Sequence, residues 1–422
     1  MDRIDERNRA LADTGEPVFA LAAILERRGK EARDRLKQLT GAQNLYAWMT
    51  DANNLSMLLM ALPPADYDLF AKAAEAPFIK EKEVFLPMHS GLIGFCLLQP
   101  YLVGEELYLV VPTEIRTLWR DLKRTDLPRR KQLHDTLDAY AQAAVKLYGA
   151  LFLADFDEML RLRSEVRLNE EAEAMLRSMA DGTYYSVEGN LLLHRGLSAE
   201  EAVPYLSARE GLPRYLPVHE KLLRLGDGDY YDVFHELELW RLEAEDLFRE
   251  AGEEEAEEKA TAFSDTLYAV LRMELGTEDH APLFAEFGLE PDEARVAEIK
   301  KQVRLWCLGG NTPAELLAEY AAGKLKPRVN GPCICGSGRK FKKCHGARPY
   351  LPNSSHGRER QCSKIPAKRP FQIATASRVA IWWGETPMEK ENGKPDHSQV
   401  SRFWSFPITQ GRRLSMIAAQ SP

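Results

Sequence analysis

Three cysteines and a histidine fall close together as Cys333, Cys335, Cys344 and His345. Ile334 separates the first two, Cys344 and His345 are adjacent, and eight residues lie between the pairs. Three thiolates and an imidazole make a complete tetrahedral donor set for Zn²⁺. Four protein ligands leave no position for water, which points to one structural ion rather than a catalytic one. Gly336, Ser337 and Gly338 let the backbone turn tightly between the pairs and aim its N–H groups at the sulfurs. With Zn²⁺ the set keeps a net negative charge, and Arg339, Lys340, Lys342 and Lys343 around it lower the thiol pKa values and favour the metal-bound form. The alternatives are a disulfide or unrelated free cysteines. Against the disulfide, Cys–Xaa–Cys closes a strained ring, and nothing else in the chain reads as secreted.

The stretch resembles the SEC-C motif, the small zinc domain at the carboxyl end of the translocation ATPase SecA, which is also appended to many bacterial proteins, including the YecA-type family. The residues that carry the resemblance are Asn330, Pro332, the ligand set, Gly336-Ser337-Gly338, Lys340, Lys342 or Lys343, and Gly346. Ile334 stands where the family usually has proline, a change expected to loosen the knuckle while removing no ligand. In SecA the similar knob engages the chaperone SecB and the ribosome, so the resemblance implies an acidic protein or ribosomal RNA as partner. Arg339, Lys340, Phe341, Lys342 and Lys343 would form the contact surface, with Phe341 as its apolar anchor. The plainer reading is that these bases only neutralise the metal site. For so small a knuckle, binding energy is folding energy, so chelation is expected to disorder residues 331–346 and spare the body.

The rest of the chain has to position this knuckle. At 422 residues with 45% hydrophobic and 28% charged content, it can bury a sizeable core in two or three domains. The net charge of −8 is uneven: residues 347–422 hold twelve Lys and Arg against five Asp and Glu, which leaves them at +7 and residues 1–346 at −15. An acidic body does not wrap nucleic acid over a broad surface. No apolar run is long enough to span a bilayer and the amino terminus is no signal peptide, so a reducing cytoplasm is expected. That setting suits Cys96 and Cys307 as inert core thiols.

The periodicity predicts a mainly α fold with short β-hairpins. A helical domain with a strand pair is expected over 1–125, a mostly helical domain over 126–323, the linker and zinc knuckle over 324–346, and an irregular basic tail over 347–422. Helix is expected over 6–40, along Leu55, Leu58, Leu59 and Leu62, over Asp66–Ala74 and from Thr113. Val84–Leu86 and Leu107–Val111 read as extended. Helices before a strand pair resemble a winged helix, yet the helix over Asp66–Ala74 offers Asp66, Asp68 and only Lys72, a poor recognition surface. Helical spacing then runs from Leu133 to Leu151, followed by a hairpin over 183–194 around Gly189-Asn190. The acidic run Glu253–Glu258 reads as a solvated helix face, since it lacks the alternating donors and glycine of a calcium loop. Val303, Trp306 and Cys307 are expected to close a helix, Thr312 and Glu315 to form a capping box, and Gly323 to end the next helix. The segment Arg304–Leu316 resembles one that precedes SEC-C motifs in uncharacterised bacterial proteins.

The tail holds eight of the 24 prolines and no sustained period; Trp382, Trp383 and Trp404 would be its anchors if it docked on a partner. Phosphate loop, dinucleotide fingerprint, nucleophile elbow and zinc-protease helix are all missing from the sequence. His89, His134, His194, His219, His235 and His280 are scattered, and Tyr184-Tyr185 and Tyr230-Tyr231 read as core or hairpin residues. The leading expectation is a non-enzymatic zinc-binding adaptor with no small-molecule substrate. The second is a regulator that binds nucleic acid through the strand-pair modules.

Overall fold

A computed structural model of the chain describes residues 2–81, 84–180, 184–227, 232, 234–276 and 278–347. Helices with small sheets of three and four strands make up the fold, as the periodicity predicts. The described residues divide into two compact units, one over 2–137 and 174–180, the other over 138–173 and 184–347. The division falls inside the helix Leu127–Tyr148, and the knuckle belongs to the second unit.

In the first unit β1 (Asp13–Thr14), β2 (Ile79–Lys80), β3 (Gln99–Val103) and β4 (Glu106–Val110) form a sheet in the order β1-β3-β4-β2. β3 and β4 make a hairpin with Tyr101 opposite Tyr108, and β1 runs parallel to β3. The expected helix over 6–40 is three helices, Asp2–Leu11, Leu21–Arg27 and Lys30–Thr40, because β1, the left-handed Gly15 and Pro17 interrupt the first and Gly29 the second. Val84–Leu86 is not a strand. The buried Asn8 takes its place as partner: its amide donates to Val84 O at 2.7 Å and its oxygen accepts from Leu86 N at 2.8 Å. The edge strand lies at Ile79–Lys80 instead. Trp119 meets the edges of Tyr67 and Phe70, with ring centroids 5.8 and 5.5 Å away, and so joins the helices Pro64–Ala74 and Thr113–Leu122.

The second unit holds β5 (Ala150–Phe152), β6 (Tyr185–Glu188) and β7 (Leu191–His194) in the order β5-β7-β6, all antiparallel. The helix expected to reach Leu151 stops at Tyr148. Gly149 adopts φ +70°, and Leu151 enters β5 opposite Leu192. Trp306 explains the glycine: a Cβ on Gly149 would lie 2.5 Å from the indole. The indole is fully buried, its Nε1 donates to Lys146 O at 3.0 Å, and Tyr205 packs edge-on at 5.6 Å. Residues 303–307 are therefore not the end of a helix. The helix Glu293–Lys300 ends earlier, and Trp306–Leu308 is a short 3₁₀ turn. Gly309 and Gly310, both left-handed, fold the chain back so that Leu305 N donates to Asn311 O at 3.2 Å. The capping box of Thr312 and Glu315 forms as expected, and Arg304 grips both Glu315 oxygens at 3.1 Å. Cys96 and Cys307 are core residues, and burial pushes the Cys307 thiol up to about 11. Replacing Trp306 with alanine should lower stability by about 3–5 kcal/mol in denaturant unfolding, since it empties the centre of the second unit; a loss under about 1 kcal/mol would contradict that role.

Two buried histidines shape the pH dependence of this unit. Burial disfavours the His280 imidazolium, but hydrogen bonds and charges from Glu274 and Glu293 outweigh it, so its pKa is raised. His194 is driven well below the usual value by burial and by Arg272, Arg195 and Lys146. The His280 contribution is complete below about pH 6.5 and lost as pH rises through its raised pKa; that of His194 is present above about pH 6.5 and lost on acidification. Stability of the second unit should peak near pH 6.5, and His280→Gln should remove the decline on the alkaline side. Urea unfolding between pH 5 and 8 checks both; an unchanged alkaline decline in His280→Gln would reject the assignment.

Candidate metal centre

Residues 331–346 fold as two short arms and a turn. Pro332 bridges Lys340 in antiparallel fashion, Cys333 N donates to Arg339 O at 2.6 Å, and Phe341 N donates to Gly331 O at 2.8 Å. Left-handed Gly336 and Gly338 make the turn, with Gly336 N donating to Cys333 O at 3.1 Å. A 3₁₀ turn at Phe341–Lys343 then brings Cys344 and His345 back across the first pair. One ligand atom from each of Cys333, Cys335, Cys344 and His345 lies within 4.8 Å of all the others. Cys333 Sγ is 3.2 Å from His345 Nδ1, Cys344 Sγ is 3.4 Å from the same nitrogen, and Cys335 and Cys344 sulfurs are 3.7 Å apart. The four predicted ligands converge, and the cluster could bind a metal ion. Soft sulfur with one imidazole, closed on all four sides, fits Zn²⁺.

The electrostatics favour one thiolate, that of Cys335. The hydrogen bond between Cys333 and Cys335 pulls the Cys335 thiol down and pushes the Cys333 thiol up, so negative charge gathers on Cys335. Backbone hydrogen bonds from Cys335 and His345 act to lower the Cys333 thiol and one from Ser337 lowers the Cys335 thiol; of these donors only Ser337 belongs to the glycine turn. Ser337 Oγ adds a contact at 3.2 Å to Cys335 and 3.8 Å to Cys344. His345 is raised by its hydrogen bond to Cys335, while burial raises Cys344.

The knuckle is sewn into the core of the second unit. Ile334 is completely buried, Cys333 is 1% exposed, and both join the apolar cluster that contains Leu305, Trp306 and Phe263. The isoleucine that departs from the family pattern therefore anchors the knuckle rather than loosening it; burying such a side chain is worth roughly 1.5–3 kcal/mol. Phe341 needs a second correction. It is 5% exposed, its ring meets Tyr320 edge-on at 5.2 Å, and Gly346 lies so close that a Cβ there would sit 2.7 Å from the ring. It is a core residue of the knuckle and not a surface anchor. Lys340, Lys342 and Lys343 are exposed and Arg339 is half-buried.

The other residues that stand out in the sequence take structural roles. Asp66 is buried against His89 Nδ1 at 2.6 Å, and Lys72 pairs with Glu81. His219 Nδ1 meets Tyr140 OH at 2.7 Å, and Tyr185 OH donates to Asp138 at 3.1 Å. Glu253–Glu255 and Glu257–Glu258 are exposed, although Ala256 among them is buried. Tyr230, Tyr231, Trp382, Trp383 and Trp404 lie outside the described residues. Sequence reasoning missed the buried group Glu274, His280 and Lys300, since no motif or spacing links residues brought together by three separate segments.

The arrangement defines a closed Cys₃His knuckle. Residues 330–347 match the family model of the SEC-C motif, the same stretch that carried the resemblance. No curated protein and no solved structure matches the chain. No helix among the described residues is long and apolar enough to cross a membrane. Cys335→Ser should abolish metal binding, because only two sulfurs and one imidazole remain; metal analysis of the purified variant finding a full complement would refute the ligand set. Chelation should reach beyond 331–346, lowering the melting temperature of the second unit, since Ile334 and Phe341 belong to its core.

Proposed function

We propose that the chain is a non-enzymatic zinc-binding adaptor of the reducing cytoplasm, and that its knuckle presents a cationic face to an acidic protein. One observation supports this most. Residues 321–347 contain seven Lys and Arg and no Asp or Glu, while residues 1–320 sum to −22, of which −14 falls on residues 234–320. Lys324, Lys326, Arg328, Lys340, Lys342 and Lys343 are exposed, and the bond from Lys342 N to Val329 O at 3.1 Å sets the linker bases beside those of the knuckle. With Phe341 inside, the face offers ammonium and guanidinium groups but, among the described residues, no exposed aromatic ring for base stacking, which favours carboxylates over single-stranded RNA. Zinc holds the face in shape and takes no part in chemistry.

The double change Lys342→Glu and Lys343→Glu should retain zinc, as neither is a ligand, and weaken binding to a purified acidic chaperone of the SecB type by about tenfold or more at low salt, mainly through slower association. If both residues serve only as counter-charge for the metal site, zinc affinity should fall instead and binding per zinc-loaded molecule should stay the same. Tighter capture of ribosomes than of the chaperone would move the partner assignment to ribosomal RNA.

A further inference from the structure

The turn that carries the thiols rests on fixed points of the helical body. Gly336 leaves room for Leu305 and Lys300: a Cβ there would lie 2.7 Å from Leu305 Cδ1 and 3.6 Å from Lys300 Cε. Gly338 lies against the Leu275–Gly276 backbone, where a Cβ would fall 2.8 Å from both Gly276 Cα and Leu275 O. That backbone is held from beneath. Lys300, with 12% of its side chain exposed, bonds both the Glu274 carboxylate and the Gly276 carbonyl. Glu274, 1% exposed, also meets His280 Nε2 at 2.5 Å, and its carbonyl accepts from Cys307 Sγ at 3.3 Å. Burying such a charge cluster gains little net stability over apolar packing, because desolvation offsets attraction. Its effect here is geometric: it fixes one conformation of the segment on which the glycine turn sits.

We infer that Lys300 is a positioning residue for the metal site. By holding Leu275–Gly276 and backing Gly336, it keeps the Gly336–Gly338 turn in the form that sets Ser337 Oγ against the Cys335 and Cys344 sulfurs. The ligands themselves are all local to the knuckle, but their spacing is imposed by the body, as outer partners orient inner ones at metal sites. This rests on the reading of the knuckle as a zinc site.

The test measures zinc affinity of the full chain by competition with a chromophoric chelator, with circular dichroism as the check on folding. Lys300→Met should weaken zinc binding by about tenfold or more, the usual size of such outer-partner effects. Glu274→Gln keeps the side-chain shape, removes the charge that orients Lys300, and should shift affinity in the same direction. Lys300→Arg should recover part of the loss. Phe70→Leu in the first unit is the control: its ring packs edge-on against Trp119, in a core cluster other than the knuckle's, and thinning it should lower stability without changing zinc affinity. If Lys300→Met and Glu274→Gln bind zinc within about twofold of the unaltered chain while melting earlier, the cluster is merely structural and the inference is overturned. An unaltered chain that binds no zinc overturns the zinc reading as well, so the two failures are told apart.

Discussion

The second unit is organised by one close approach, the Trp306 indole lying on Gly149. Only a residue without Cβ permits it, and only a left-handed backbone ends the helix Leu127–Tyr148 there and redirects the chain into β5. The indole nitrogen then ties to Lys146 O, and Arg209, itself buried, donates to Tyr148 O at 3.0 Å and to Ala150 O. On the other flank, the paired glycines Gly309 and Gly310 bring Asn311 to Pro213 O at 2.6 Å. Helix, sheet and return loop are thereby fixed to one aromatic ring. Leu305, the residue just before it, is the one on which the metal knuckle's glycine turn sits.

That adjacency gives the buried ions their logic. An apolar platform under Gly336 and Gly338 would be cheaper to bury, but it would leave the Leu275–Gly276 backbone without directional restraint. Lys300 supplies direction, because an ammonium must place its protons on acceptors, and Glu274 and Gly276 O are the acceptors it meets. His280 and Cys307 hold Glu274 from two further sides. The local sequence of the knuckle provides the donors; the body provides the angle at which they meet.

The four converging residues of the knuckle were legible in the sequence alone, since metal coordination restricts residue type and spacing more tightly than packing does. Within Arg304–Leu316 the capping box at Thr312 formed as read, whereas Trp306 and Cys307, expected to close a helix, lie in a 3₁₀ turn. What escaped it depended on distant partners. Asn8 satisfied Val84 and Leu86 from 76 and 78 residues away and cancelled a strand that the local β-pattern favoured. Trp306 ended a helix from across the unit at Gly149, and Phe341 looked like an exposed anchor because its neighbours are lysines, whereas Tyr320 draws it inside. Glu274, His280 and Lys300 carried no local signal at all.

Ile334 shows how one residue between two ligands can tie a small motif to the body. A proline between the first two ligands stiffens the backbone directly, so a knuckle of that kind can hold its shape at the end of a flexible tether. Isoleucine gives no such stiffness; a lone knuckle carrying it would lose more entropy on closing. In this chain the loss is offset by apolar burial, because Ile334 is fully enclosed in the core that holds Leu305 and Trp306. Rigidity of this knuckle therefore depends on the body. It also bears on the cationic face. Lys340, Lys342 and Lys343 are exposed on a knuckle whose Ile334 and Phe341 are buried, so the orientation of these bases is set by the second unit and not by a swinging arm. An interaction surface of the proposed kind, held this way, would lose less entropy on association than one carried on a free knuckle.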